Sequence, residues 1–172
     1  MKKTIKISII IFSVFLLTIF ITKSGESSSS INNSGLLKWH NYFRSLHGVP
    51  GLRWSRQLQN LAQNWANYLA RTKSWKHRPR NRYGENIYWI RGASPRSKNV
   101  VKSWYDEINY YNYNRPGFSM KTGHFTQVVW KNSRYLGCGW AQARDGGYYV
   151  VCNYNPPGNY RGRFSSNVPR RR

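Results

Sequence analysis

The side chains able to do chemistry are few. Against 28 lysines and arginines the chain has five acids (Glu26, Glu85, Asp106, Glu107 and Asp145) and four histidines (His40, His47, His77 and His124). His40 and His47 lie in or beside a helical segment and read as a helix-face polar group and a turn residue. His77 and His124 fall in irregular stretches next to apolar elements, where sites are commonly built. Glu85 follows Gly84 at the head of a strand-like run, and Glu107 lies one helical turn past Ser103 and Trp104. If these two imidazoles and two carboxylates met, three kinds of chemistry would be open to them. They could bind a divalent metal through the His nitrogens, with the carboxylates orienting ligands or activating water. They could do general acid–base work, or form a satisfied polar cluster that supports the fold. Spacing alone leaves all three open. The chain has no His-Glu-x-x-His, no Gly-x-Ser-x-Gly and no phosphate loop. Ser103 and Thr126 are hydroxyls of structural type, so the catalytic candidates are Glu85, Glu107 and His124.

These residues need elements to position them. Residues 36, 37, 39, 42, 43 and 46 of LLKWHNYFRSL have helical spacing, ended by Gly48, Pro50 and Gly51. Ser55 is placed to cap a second helix, whose apolar residues Leu58, Leu61, Ala62, Trp65, Ala66 and Leu69 carry it to about Arg71. ENIYW reads as a short strand, and Ser97 as the cap of a third helix over NVVKSWYDEINYY. YLGCGWAQA and GYYVVCNYN alternate about RDGG, a hairpin signal. Cys138 and Cys152, the two cysteines, then fall on opposite arms of that hairpin, where a bridge is geometrically reasonable; free buried thiols are the alternative. The C-terminal PPGNYRGRFSSNVPRRR reads as basic coil. Helices interleaved with an antiparallel hairpin favour α+β layers over a doubly wound sheet.

Composition bounds the class. With 8 Trp, 13 Tyr and 7 Phe the chain has the makings of a packed body, not a disordered polycation. A net charge of +23 favours anionic partners. Lys2, Lys3 and Lys6 precede an apolar run from Ile7 to Ile21, the pattern of a secretory signal over residues 1–24. The run is short of the roughly 20 residues that span a bilayer; a membrane anchor through residues 7–21 is the alternative. Residues 25–35 read as a Ser-rich linker.

GENIYW, GHFTQVVWKNSRYLGCGWA and VVCNYNPPGNYRG resemble the signatures of the CAP superfamily: cysteine-rich secretory, antigen five and pathogenesis-related class one proteins. HNYFRSLHGVPGLRWSRQLQNLAQNWANYLA is similar to that family's opening helices. The resemblance implies an α+β fold, a three-layer α-β-α sandwich with a central antiparallel sheet, over residues 36–165, followed by a basic tail, 166–172. It implies that His77, Glu85, Glu107 and His124, in KHR, GEN, WYDE and GHFTQ, converge in a cleft where His77 and His124 hold a divalent ion such as Zn2+. Two histidines make an incomplete zinc site, so such binding would be weak and labile. It also implies a Cys138–Cys152 bridge between the last two strands. The cysteine-rich extension of the venom and reproductive members is absent, which argues against a channel-toxin role.

The cation clusters bear on the partner. Lys73, Lys76, Arg78, Arg80 and Arg82 surround His77, and Arg161, Arg163, Arg170, Arg171 and Arg172 crowd the C-terminal stretch. The expectation is a secreted binding protein for sterol, anionic lipid or another anionic ligand such as a sulfated glycan. Export argues against nucleic acid. A metal-assisted peptidase or other hydrolase, and a purely structural interaction module, are the alternatives.

Overall fold

The computed structural model describes residues 30–172. The signal, its anchor alternative, Glu26 and the start of the linker lie outside the described residues. Five helices and four strands follow in the order α1 (Asn33–Ser45), β1 (Arg53–Trp54), α2 (Arg56–Thr72), β2 (Gly84–Ile90), α3 (Ser97–Tyr105), α4 (Gly123–Val129), β3 (Tyr135–Gln142), β4 (Tyr148–Asn155) and α5 (Phe164–Asn167). A 3-10 turn over Asp106–Tyr110 extends α3.

The strands form one sheet ordered β1-β3-β4-β2. The β3–β4 hairpin and the β2–β4 pair are antiparallel. β1 adds two residues in parallel to β3, so the sheet is mixed where a wholly antiparallel one was expected. That short parallel pair arises because β1 enters from α1 and turns at once into α2, alongside the start of β3.

Alternation along the strands sorts side chains to two faces. Leu136, Cys138, Val150, Cys152 and Tyr154 pack with α1, α3 and α4 in one core. Ile87, Tyr149, Val151 and Ala143 pack with Ala62, Trp65, Ala66 and Leu69 of α2 in another. The α+β reading and the helix–sheet–helix layering hold. Gly137 and Gly139 set the spacing on the α2 face: a Cβ on Gly137 would lie 2.1 Å from the Gln59 backbone nitrogen, and one on Gly139 2.3 Å from the Gln63 Cα. α2 rests directly on bare backbone.

Cys138 faces Cys152 across β3–β4 with their Cα atoms 4.1 Å apart, and the two are bridged. Ser55 caps α2 as read, accepting from the Leu58 amide at 3.3 Å. Ser97 does not cap α3; it is that helix's first residue, and its hydroxyl accepts from the Asn32 amide at 3.0 Å. α1 begins at Asn33, inside the stretch read as linker, because Asn32 caps it by accepting from the Gly35 amide at 2.7 Å. The C-terminal stretch read as coil and tail is packed instead. α5 falls within it, Val168 is buried, and the Arg172 amide donates to Leu46 O at 2.9 Å. Among the described residues no helix is long and apolar enough to cross a membrane.

Candidate functional site

The four candidate residues form two imidazole–carboxylate pairs. His77 Nδ1–H donates to Glu85 Oε1 at 2.7 Å, and His124 Nδ1–H donates to Glu107 Oε1 at 2.6 Å. Glu85 is the second residue of edge strand β2, while His77 stands on the loop after α2. The Glu85 carboxylate also accepts from the Arg78 amide at 3.0 Å and the Asn81 side chain at 3.3 Å. Its side chain is 4% exposed, whereas that of His77 is 65% exposed. The Glu85 hydrogen bond, opposed by partial burial, raises the His77 pKa above its ordinary value.

Glu107 sits in the 3-10 turn after α3, facing the first turn of α4. Besides the His124 ring, it accepts from the backbone amides of His124 at 2.9 Å and Phe125 at 3.1 Å. A helix start leaves amides without partners, and a carboxylate there satisfies them. Glu107 therefore fastens α4 while it orients His124. The His124 ring lies nearly parallel to Trp104, centroids 6.3 Å apart.

The two pairs are coupled through Asn86, the neighbour of Glu85, which donates from its side chain to His124 O at 3.1 Å and to the Tyr154 hydroxyl at 3.2 Å. Tyr154 in turn donates to His40 Nε2 at 2.8 Å, because His40 Nδ1 donates to Leu36 O at 2.7 Å. Burial lowers the His40 pKa to about 4, so the ring is neutral. His40 is thus a fully buried link between α1 and β4, not a polar group on a helix face. His47 is likewise buried, donating to Pro169 O at 2.7 Å and accepting from the Tyr105 hydroxyl at 2.9 Å. Neither takes part in the site. A lone Asn inside the apolar strand run, at position 86, was the sequence signal for this network, since a buried amide needs partners.

The arrangement limits the chemistry. Nδ1 held by a carboxylate is the orientation seen in many zinc-ligating histidines. Yet among the described residues no three His, Cys, Asp or Glu side chains are placed to hold one ion. A resident zinc centre takes three or four protein ligands, and this donor set does not fit one. The hydroxyl candidates are engaged elsewhere: Ser103 donates to Val100 O at 2.8 Å, and Thr126 Oγ1 lies 3.0 Å from Thr122 O and 2.6 Å from Asn159 Oδ1. Neither faces an imidazole as a nucleophile must. A cavity of about 330 Å3 opens beside the His77–Glu85 pair, walled by Arg78, Arg80, Arg82 and Tyr83 from the loop and by Leu61 and Asn64 from α2.

Comparison with known proteins agrees with this architecture. The chain is 42% identical over 149 residues to Golgi-associated plant pathogenesis-related protein 1 of Homo sapiens, covering 84% of this chain and 96% of the relative. It is 39% identical over 157 residues to pathogenesis-related protein 1A of Nicotiana tabacum, covering 90% and 92%. Among solved structures, BmVAL-1 superposes with a TM-score of 0.63 at 28% identity, over 74% of this chain and 77% of that one. NaASP2, crystallised with Zn2+, superposes with a TM-score of 0.64 at 23% identity over 81% and 85%, a likeness of fold. Residues 37–154 match the model of CAP, the cysteine-rich secretory protein family. The chain belongs to the CAP family.

Proposed function

We propose that this chain is an exported binding protein for an anionic lipid headgroup, taken at the cavity beside His77. The observation that carries the reading is the cavity wall: three arginines, Arg78, Arg80 and Arg82, with no carboxylate among its lining residues. Arg78 and Asn81 are positioned by their bonds to Glu85. The His77–Glu85 pair thereby fixes the loop that presents the cations. The +23 net charge draws such a ligand in from a distance. The sterol part of the expectation has less support, since this wall is mostly polar. Hydrolysis has less support: both carboxylates are engaged in holding histidines and backbone amides, and Ser103 and Thr126 bond to other partners than an imidazole. The Zn2+ in the NaASP2 crystal is a feature of that protein's structure.

Cosedimentation with phosphatidylserine vesicles tests the reading. Arg80→Ala/Arg82→Ala should weaken binding by about 2 kcal/mol, roughly thirtyfold, at about 1 kcal/mol per cation. Vesicle binding unchanged in the double variant would sink the proposal.

A further inference from the structure

All four described carboxylates have partners: Glu85 with His77, Glu107 with His124, Asp106 with Lys102 and Asp145 with Lys73. None lines a second, larger cavity of about 590 Å3. Its walls include Trp130, Arg134, Pro156, Tyr160, Arg161 and Arg163, together with Asn132 and Asn167. Its volume lies within the roughly 300–1,000 Å3 of small-molecule sites.

The frame around this cavity is fixed before any ligand arrives. The Ser133 hydroxyl donates to Pro156 O at 2.8 Å, and the Gly158 amide donates to Gln127 Oε1 at 2.8 Å. The Lys131 amide donates to Asn167 O at 2.9 Å, and the Asn132 amide to Asn167 Oδ1 at 3.0 Å. Trp130 is buried and meets Phe164 edge to face at 5.2 Å. The α4–β3 link and the segment after β4 are thus stitched into one cup. Among the described residues, no carboxylate pairs with Arg134, Arg161 or Arg163. One Arg134 nitrogen donates to Lys131 O, which holds that side chain at the rim.

Three guanidinium groups around one concavity repel one another, and a ligand with several oxyanions relieves that repulsion. A guanidinium fork matches a sulfate or phosphate group bidentately. Tyr160, 56% exposed, offers a flat apolar face at the rim, and Pro156 another apolar surface. Asn132 supplies a neutral amide suited to hydroxyls. We infer that this cavity is a second ligand site, separate from the one at His77, for a sugar-sized ring carrying sulfate ester groups. A concave cup of this size encloses a ring, whereas a bilayer surface would meet only its rim.

Calorimetric titration of the full chain with a fully sulfated heparin-type disaccharide tests it. Saturable one-site binding is expected, about tenfold weaker in Arg161→Ala/Arg163→Ala. It should be unchanged in Arg80→Ala/Arg82→Ala, which separates this site from the one at His77. It should also be unchanged in Arg91→Ala/Arg144→Ala, at the far end of the β3–β4 hairpin. All these side chains are exposed, so each variant is expected to melt like the parent; Arg134→Ala alone reads the same cavity should the double variant not fold. An equal loss in the Arg91/Arg144 pair would reduce the effect to bulk charge and overturn the inference. So would retention on phosphatidylserine vesicles through Arg161 and Arg163 without any disaccharide binding.

Discussion

At the scale of single residues, the four candidate side chains were legible because a chain so poor in acids exposes those it keeps. What the sequence hid was how they are used. Glu107 reads equally as a base or a brace, and its bonds to the His124 and Phe125 amides give it the contacts of a brace. His40 was harder to read, because a histidine in a helix carries no sign of whether its ring is wet. Its ring is enclosed between Leu36 O and the Tyr154 hydroxyl. This makes stability depend on pH. The unfolded chain takes up a proton on His40 below its ordinary 6.5, whereas the folded chain keeps the ring neutral down to about 4. Stability present above pH 6.5 is therefore lost as pH falls through that window, by roughly 3 kcal/mol from this ring. Urea denaturation at pH 7 and pH 4 should show the loss. His40→Gln should be less stable at neutral pH and show a flatter pH dependence; an unaltered pH dependence would remove His40 as the cause.

At the scale of elements, α2, β2 and the hairpin could be read from periodicity and turn residues. Alternation in YLGCGWAQ and YYVVCNYN put Cys138 and Cys152 on facing arms, as the register confirms. The parallel β1 pair was not legible, since two residues carry no periodicity. α4 was not assigned either: it is a short helix buried on most sides, so HFTQVVW shows no polar face. The largest omission was Arg44, lost among the apolar positions of α1. It is fully buried with no carboxylate partner. Its guanidinium donates to Pro50 O at 2.8 Å, Val128 O at 2.8 Å, Trp130 O at 2.9 Å and Ser133 O at 3.1 Å. One cation thus ties α1 to the end of α4 and the approach to β3, and burial lowers its pKa to about 10. Arg44→Met keeps much of the volume but leaves these buried carbonyls without donors, at about 1–3 kcal/mol each when unsatisfied. A loss of roughly 3 kcal/mol or more is expected from the denaturant midpoint; a change below 1 kcal/mol would mean that water replaces the guanidinium.

At the scale of the whole molecule, charge was the plainest message of the sequence, but its arrangement was not. The sequence showed two cation-rich segments, whereas the structure builds one cup with Arg78, Arg80 and Arg82 and another with Arg161 and Arg163 joined by Arg134. No carboxylate lines either cup, and Glu85, which neighbours the first, is held by His77. Affinity for a long sulfated polymer should therefore fall at least about tenfold between roughly 50 and 200 mM salt, as condensed cations compete to return to it. A salt-independent affinity, measured by the same titration, would mean that contact other than charge dominates.

The bridged cysteines have a different consequence. Cys138 and Cys152 are both fully buried, sealed between the hairpin and the α1–α3 layer. A reductant in solution reaches them only when that layer lifts from the sheet, so the rate of reduction becomes a clock for opening and not a gauge of redox poise. In this chain a thiol reagent would time the breathing of the core.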